Sequence, residues 1–319
     1  MTYCVHIGYP KAASSFLQSG LFSGAHPDIK PLESKGKKLG DYQKLSGDYF
    51  NSSYPQTPRT LAPFDFIAKD ERKKIESATY KSAKVTALSN ELLCGHPFSG
   101  GVSAKEYADR IYLTLPEAKI LIITRKQEDM LLSSYAHFMV KAGGICGLER
   151  YLTSPQHMQI PWHSPHYYHY DQLASYYIKL FGKKNVFVLP FEVLKQEGEE
   201  TFLKEITSFL GVSEFEKPKD SPFKNARDYK DFTVLSSHPW INLFAPPTPA
   251  NGNFGQSVSG VRIGLLKIFK LLTSDKDVKD KEECNRKIIS KHFGTSLKVA
   301  NRNLQKLTKF DLKKFGYTF

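Results

Sequence analysis

The 319-residue chain has no run of about 18 consecutive apolar residues, so the sequence predicts no membrane-spanning helix. It also lacks a basic-then-apolar leader, because strand-like residues begin almost at the first position, and a cytoplasmic location is therefore expected. The cysteines lie far apart with no C-x-x-C pair, which favours reduced thiols over a disulfide framework or a zinc site. No internal repeat is present.

Acidic residues are outnumbered by basic ones. The chain has 45 Lys and Arg against 32 Asp and Glu, a formal net charge of +13. A basic surface favours polyanions, and nucleic acid, anionic lipid and anionic small molecules or glycans compete as partners. The basic residues are spread along the chain without a nucleic-acid-binding motif, so nucleic acid is not expected as a partner. Nothing in the sequence specifies an oligomeric state.

The segment from Val5 to Gln18 combines a strand, a tight loop and the start of a helix. Its first residues are apolar, Gly8 breaks the strand, and Ser14 and Ser15 suit a helix start. Lys11 lies within the loop. Loop N–H groups, the helix dipole and the lysine charge together favour binding of an anion. The alternative is an ordinary strand-turn-helix connection.

A second junction of the same kind follows residues 119–124, an apolar, strand-like segment. Arg125 stands at the carboxyl end of that segment, and residues 127–141 have helical spacing. Ser133 lies on this predicted helix. A guanidinium at a strand end and a hydroxyl on the next helix can both reach one phosphate.

The two motifs resemble those of the sulfotransferases that use 3′-phosphoadenosine-5′-phosphosulfate (PAPS). The run Tyr-Pro-Lys-x-x-Ser-Ser-Phe is similar to their 5′-phosphosulfate loop, and Arg125 with Ser133 is similar to their 3′-phosphate motif. The family usually has Gly where this chain has Ala13, a change that is mild unless the position needs a positive φ. The resemblance covers most of a single domain, residues 1–319. It lapses at insertions about 23–84, 143–166 and 240–280, which are expected to face the acceptor.

Strand-like and helix-like segments alternate from residue 3 to residue 210. Strands are predicted at residues 3–7, 85–88, 119–124 and 186–189, which indicates βαβ units. The predicted fold is α/β, with a parallel β-sheet flanked by helices in a P-loop-like three-layer sandwich with long insertions. A charged helix is predicted within residues 65–82, with Ile67 and Ile75 inward. A basic amphipathic helix is predicted at residues 261–272.

The resemblance implies sulfuryl transfer from PAPS to an acceptor hydroxyl, with release of 3′,5′-ADP. Lys11 would meet the bridging oxygen as charge develops on the leaving phosphate. Phe16 would stack on the adenine, and the alternative is a core aromatic. The implied donor-binding residues are Lys11, Ala12, Ala13, Ser14, Ser15, Phe16, Arg125, Ser133 and Phe191.

A base must take the proton of the acceptor hydroxyl. Glu91 follows the second predicted strand, where the resemblance implies a base, and His96 is the reserve candidate. The alternative for Glu91 is an exposed acid paired with a lysine. The implied acceptor is a glycan, a glycolipid or a small metabolite.

Residues 153–170 are rich in proline, histidine and tyrosine, and the aromatic rings suit stacking on sugars or closing an acceptor pocket. His163, His166 and His169 recur at a spacing that is not a tetrahedral zinc signature, so no metal is predicted.

Two other functions compete with sulfuryl transfer. A P-loop-type kinase using ATP and Mg²⁺ would need a Gly-Lys-Ser run and a magnesium-binding aspartate at a strand end, and neither is evident. A basic nucleic-acid-binding protein is the third reading.

Overall fold

The computed structural model describes residues 1–32, 66–97, 100–153, 163–215, 229–246 and 259–319. The chain divides into two compact units. The first unit contains the described residues within Met1–Lys126, His166–Phe223 and Leu297–Phe319, and the second contains those within Gln127–Pro165 and Lys224–Ser296. The single domain over residues 1–319 stays a prediction.

The first unit is built around a sheet of parallel strands. Its strands are β1 Thr2–His6, β2 Ile29–Pro31, β3 Val85–Ser89, β4 Lys119–Thr124 and β5 Val186–Pro190. Their order across the sheet is β2-β3-β1-β4-β5, and each neighbouring pair is parallel. The predicted α/β class, with a parallel sheet flanked by helices, is therefore confirmed.

The helices include those predicted within residues 65–82 and at residues 127–141 and 261–272, together with others that were not predicted, such as those at residues 229–237 and 275–293. In chain order they are α1 Ser14–Ser19, α2 Ala68–Ser77, α3 Ala104–Thr114, α4 Gln127–Val140, α5 Leu148–Leu152, α6 Tyr170–Phe181, α7 Phe191–Gln196, α8 Glu199–Leu210, α9 Tyr229–Ser237, α10 Ser259–Leu272, α11 Asp275–Phe293 and α12 Ser296–Gln305. Short 3₁₀ turns occur at Pro165–Tyr168, Lys183–Asn185 and Pro239–Phe244.

Two further details differ from the sequence prediction. Strand β2 lies within the predicted insertion 23–84. No strand was expected there, because β2 has only three residues and ends on a proline. Proline is tolerated at the edge of a sheet, which is where β2 pairs with β3. The inward position predicted for Ile67 is wrong: it precedes α2 in an extended conformation and its side chain is 57% exposed. Ile75 is buried as predicted.

The core of the first unit lies along the central strands. Consecutive β4 residues from Ile120 to Ile123 are fully buried, as are Cys4 and Val5 of β1. Parallel strands covered on both faces read as continuous apolar runs, which explains why the sequence located them correctly.

The second unit is helical, and α4 packs against α9 and α11 within it. Rings of Tyr135 and Phe232 lie 5.7 Å apart at this contact. Asn242 donates hydrogen bonds to the carbonyls of Met139, at 2.8 Å, and Gly144, at 2.7 Å. These bonds attach the Pro239–Phe244 turn to the end of α4.

Candidate functional site

Segments that follow four neighbouring strands meet at one edge of the sheet. The loop of residues 7–13 follows β1, Glu91 follows β3, Arg125 follows β4 and Phe191 follows β5. In open α/β sheets the carboxyl ends of the strands are the usual place for ligand binding. All four segments belong to the first unit.

The loop after β1 stays attached to β4 for several residues. Tyr9 N–H donates to the carbonyl of Ile123 at 2.8 Å, and Ile123 N–H donates to the carbonyl of Gly8 at 2.9 Å. Gly8 has a φ of 95°, and a Cβ there would lie 2.8 Å from the main-chain oxygen of Glu91. Only glycine permits this approach, so the lysine loop lies directly against the backbone of Glu91.

The loop ends in a left-handed residue. Ala13 has a φ of 64° immediately before α1, and Lys11 has a φ of 63°. The change from left-handed Ala13 to right-handed Ser14 points successive N–H groups to one side, which is the geometry of an anion-binding nest. Position 13 therefore needs a positive φ, which is the case in which replacing the family's usual Gly by Ala is not a mild change. An alanine there costs about 1–2 kcal/mol relative to an unstrained conformation.

Arg125 connects the second motif to the first. Its Nη1 donates a hydrogen bond to the carbonyl of Lys11 at 2.7 Å. Its guanidinium carbon lies 5.2 Å from the ring centre of Phe191, a cation–π distance. The two predicted donor-binding segments, separated by more than a hundred residues of sequence, are thus in direct contact.

Ser133 lies on α4 in the second unit, and its side chain is half-buried. Because Arg125 belongs to the first unit, their shared binding of one phosphate stays a prediction.

Two donors in this region have no hydrogen-bond partner among the described residues. They are the hydroxyl of Ser14, which is 3% exposed, and Nε of Arg125. Buried polar groups are almost always paired, and an unpaired one costs about 1–3 kcal/mol. An anion with several oxygen atoms is the kind of partner that both donors fit.

A buried polar cluster supports the end of β3. The Ser89 hydroxyl accepts a hydrogen bond from Gln18 Nε2 at 3.0 Å and lies 2.7 Å from His6 Nδ1. Burial lowers the pKa of His6 to about 3, so the imidazole is neutral at ordinary pH. The sequence interpretation missed these three residues, since each is an ordinary member of its strand or helix.

A second cluster, also missed, supports the end of β4. Glu192 is buried, and its carboxylate accepts hydrogen bonds from Lys126 N–H at 2.9 Å and from the Tyr317 hydroxyl at 3.0 Å. Burial raises the pKa of Glu192. The carboxylate therefore connects the carboxyl-terminal tail to the turn that carries Arg125.

Both candidate bases lie in the segment after β3. Glu91 is half-buried, and its carbonyl accepts a hydrogen bond from Cys94 Sγ at 3.1 Å. His96 is also half-buried, and burial lowers its pKa, which favours the neutral imidazole that can accept a proton. Of the two candidate bases, only Glu91 is in contact with Gly8 of the lysine loop, through its main chain. The identity of the base stays a prediction.

The tyrosines of the segment 153–170 are mostly core residues. Tyr168 and Tyr170 are 1% and 0% exposed, so these two rings are not available to stack on sugars, and the alternative of closing an acceptor pocket stays a prediction. The ring of Tyr170 instead packs on Tyr9, with ring centres 4.4 Å apart. These phenols extend the core beneath the lysine loop. Trp162 and His157 lie outside the described residues.

An open cavity of about 350 Å³ lies beside this tyrosine cluster. Its charged, polar and aromatic lining residues include Tyr9, Lys105, His166, Tyr167, His169, Gln172 and Tyr176. Tyr9 is part of the lysine loop, so one wall of the cavity continues into the candidate site.

Among the described residues, no group of three or more His, Cys, Asp or Glu side chains has an arrangement that could hold a metal ion. No helix in that part of the chain has the length and apolar character needed to cross a bilayer. The cytoplasmic location stays a prediction.

Comparisons with known proteins give structural neighbours only. No protein-family model matches the chain, and no curated protein matches it significantly. A crystal structure of a sulfotransferase from Alicyclobacillus acidocaldarius is 20% identical, with a TM-score of 0.48, and the match covers 77% of this chain and 95% of that one. The sulfotransferase domain of the Synechococcus PCC 7002 olefin synthase is 13% identical, with a TM-score of 0.40, over 84% of this chain and 94% of that one.

This chain is similar to sulfotransferases of known structure. Identities and TM-scores at this level carry no argument about activity.

Proposed function

We propose that this protein is a PAPS-dependent sulfotransferase that transfers a sulfuryl group to an acceptor hydroxyl and releases 3′,5′-ADP. One observation carries the proposal: the Arg125 guanidinium is hydrogen-bonded to the carbonyl of Lys11, in a loop that lies on Glu91. The Arg125 guanidinium and the main chain at Lys11 and Glu91 therefore lie together where parallel strands end. A nucleotide with anionic groups at both its 5′ and 3′ positions suits that arrangement.

The lysine loop would hold the 5′ end of the donor. Main-chain N–H groups of residues 12–15 and the unpaired Ser14 hydroxyl supply donors, and Lys11 supplies a full positive charge. When bound, PAPS supplies an activated sulfuryl group. Lys11 would stabilise the negative charge that develops on the leaving phosphate, because a fixed cation acts strongly in a partly dehydrated site.

The other end of the donor would meet Arg125, with Ser133 as its proposed partner. The present hydrogen bond from Arg125 to the Lys11 carbonyl would have to be shared or exchanged when a phosphate binds. The side chains of Phe16 and Phe191 are proposed to contact the adenine. Phe191 already lies against the Arg125 guanidinium, and Phe16 is half-buried with its ring centre 6.2 Å from that of Phe202.

The acceptor proton would be taken by Glu91 or by His96. Glu91 is placed beside the lysine loop, because its main chain packs against Gly8. A neutral imidazole at His96 is the other group in this segment that can accept a proton.

The cavity beside Tyr9 is the proposed acceptor site, and a hydroxyl-rich acceptor such as a carbohydrate or a glycolipid head fits it best. Its lining combines tyrosine rings with neutral hydrogen-bonding groups. Its lysine, Lys105, is ion-paired with Asp109 at 2.9 Å, so it offers little charge for an anionic acceptor.

Thermal shift with nucleotides separates this activity from a kinase. We expect 3′,5′-ADP to raise the melting temperature, and ATP with Mg²⁺ to have a much smaller effect. The reverse result would favour the P-loop-type kinase. Salt-sensitive binding to duplex DNA without any response to 3′,5′-ADP would favour the nucleic-acid-binding alternative.

Three substitutions then test the roles within the site. Arg125→Ala should weaken 3′,5′-ADP binding by roughly tenfold to a hundredfold, the usual loss of a charge-assisted hydrogen bond. Lys11→Ala should abolish transfer of labelled sulfate from PAPS without unfolding the protein, because its side chain is exposed. Glu91→Gln should slow transfer with little change in donor affinity. Arg302→Ala, an exposed arginine on α12, is the matched control. Unchanged nucleotide affinity in Arg125→Ala would refute the 3′-phosphate assignment.

A further inference from the structure

Helix α10 exposes an unusual number of large apolar side chains. Exposure ranges from 41% to 87% for Val261, Ile263, Ile268, Leu271 and Leu272. Together with Trp240, which is 44% exposed, these residues are named the α10 patch. Soluble proteins rarely leave this many large apolar side chains exposed on one helix unless the surface binds something.

The opposite face of the helix is attached to the rest of the second unit. Arg262 Nε donates a hydrogen bond to Oδ1 of Asn242 at 3.1 Å, and its Nη2 donates to the carbonyl of Val140 at 3.3 Å. The ring of Phe269 packs against His238, with ring centres 4.4 Å apart, and against Trp240 at 6.2 Å. The helix is thus held by one face, and the α10 patch points outward.

Helix α10 itself carries basic residues and no acidic one, while Asp231 on α9 lies next to its Lys270 and Asp275 follows it at the start of α11. No Asp or Glu occurs from residue 232 to residue 274, whereas Arg262, Lys267 and Lys270 all lie on α10. Lys267 is exposed, and Lys270 is ion-paired with Asp231 at 2.8 Å. The whole chain carries a formal charge of +13. A second copy of the same basic chain is a poor electrostatic partner for this surface, and an anionic partner is a good one.

We propose that the α10 patch docks on the surface of an anionic lipid bilayer. Helices that combine exposed Leu and Ile, a nearby tryptophan and basic side chains lie in the plane of the membrane interface. The apolar residues would enter the acyl boundary, while Lys267 would reach the lipid phosphates. With 14 residues, α10 is long enough to lie on the bilayer and too short to cross it. The proposal does not depend on sulfuryl transfer, although it would bring the enzyme to a lipid-linked acceptor.

Vesicle binding by the full chain tests the proposal. Large vesicles of phosphatidylcholine with phosphatidylglycerol are compared with vesicles of phosphatidylcholine alone, by co-sedimentation at low and high salt. Replacing both Leu271 and Leu272 by Ser should weaken binding roughly tenfold or more. Lys267→Gln should weaken it about fivefold on anionic vesicles only. Leu113→Ser, at a leucine that is 63% exposed on α3, is the matched control and should bind as the unmodified chain does.

Tryptophan fluorescence localises the contact. The chain has two tryptophans, so Trp162→Phe leaves Trp240 as the sole reporter, and its emission should shift to the blue with anionic vesicles.

Any of three results would overturn the proposal. The first is absence of binding to anionic vesicles, which would leave a protein partner as the occupant. The second is equal binding to neutral vesicles, and the third is equal loss in Leu113→Ser. A concentration-dependent dimer that Leu271→Ser with Leu272→Ser abolishes, without vesicle binding, would assign the patch to a second copy instead. Circular dichroism of each variant excludes loss of fold as the cause.

Discussion

Ser89→Ala is the substitution that tests most directly how the site is held. The Ser89 hydroxyl joins β3 to His6 on β1, at 2.7 Å, and to Gln18 on α1, at 3.0 Å. His6 and Ser89 are fully buried, and Gln18 is 3% exposed, so water cannot replace the lost hydroxyl. The substitution removes two hydrogen bonds with the loss of a single atom.

The expected loss in the free energy of unfolding follows from the hydrogen-bonding side chains that remain after the Ser89 hydroxyl is removed. An unpaired buried polar group costs about 1–3 kcal/mol, and Nδ1 of His6 loses its Ser89 partner, whereas Gln18 loses one hydrogen bond without being left unpaired. Gln18 retains a weak contact with the Ser89 carbonyl at 3.4 Å, which offsets part of the loss. We therefore expect the free energy of unfolding to fall by about 3 kcal/mol.

Urea denaturation followed by far-UV circular dichroism measures this change. Ser77→Ala is the control, because that hydroxyl also donates one hydrogen bond, to the Lys74 carbonyl at 2.8 Å, but at an exposed position. The control should change the free energy of unfolding by less than about 0.5 kcal/mol. If Ser89→Ala cost no more than Ser77→Ala, the polar cluster would not be what secures the end of β3.

Two further predictions concern the same region. Ala13→Gly should raise the free energy of unfolding by about 0.5–1 kcal/mol, since relief of the left-handed strain exceeds the extra flexibility of glycine in the unfolded chain. Ala108→Gly, inside α3, should instead lower the free energy of unfolding by about 1 kcal/mol or more. If urea denaturation showed a change of the same sign for both variants, the strain argument would be contradicted. His6 stays neutral in the folded protein, with a pKa of about 3, but takes up a proton in the unfolded chain. Its contribution to stability is therefore complete above about pH 6.5 and falls by about 1.4 kcal/mol per unit as pH drops toward 3. NMR titration should show no protonation of His6 above about pH 4, and a normal titration would refute this.

Local pattern was sufficient to locate the elements of the site. Apolar, β-branched runs marked β1, β3, β4 and β5, because strands buried on both faces need no polar alternation. Glycines marked helix ends such as the one after α8, where Gly211 adopts a positive φ of 74°. The sequence also showed a lysine loop after the first strand and an arginine at the end of a later strand.

Other features depended on which segments the fold brings together. The edge strand β2 forms only because β3 offers it hydrogen bonds, and three residues are too few to carry a pattern. The tyrosines near residue 168 look like surface aromatics in a polar, proline-rich stretch, yet the fold packs Tyr170 on Tyr9. Local sequence does not encode burial that is created by a partner far along the chain.

The sequence by itself determined the fold class and the strands β1, β3, β4 and β5, because these follow from short-range periodicity and turn chemistry. The candidate donor-binding residues are those implied by its resemblance to the PAPS-dependent sulfotransferases. Only the tertiary structure decided that Gly8 lies on Glu91, that Arg125 is hydrogen-bonded to the Lys11 carbonyl, and that Glu192 supports the turn beside it. Each of these contacts joins segments that follow different strands. Their distance is set by the parallel order of the sheet, which no single stretch of sequence contains.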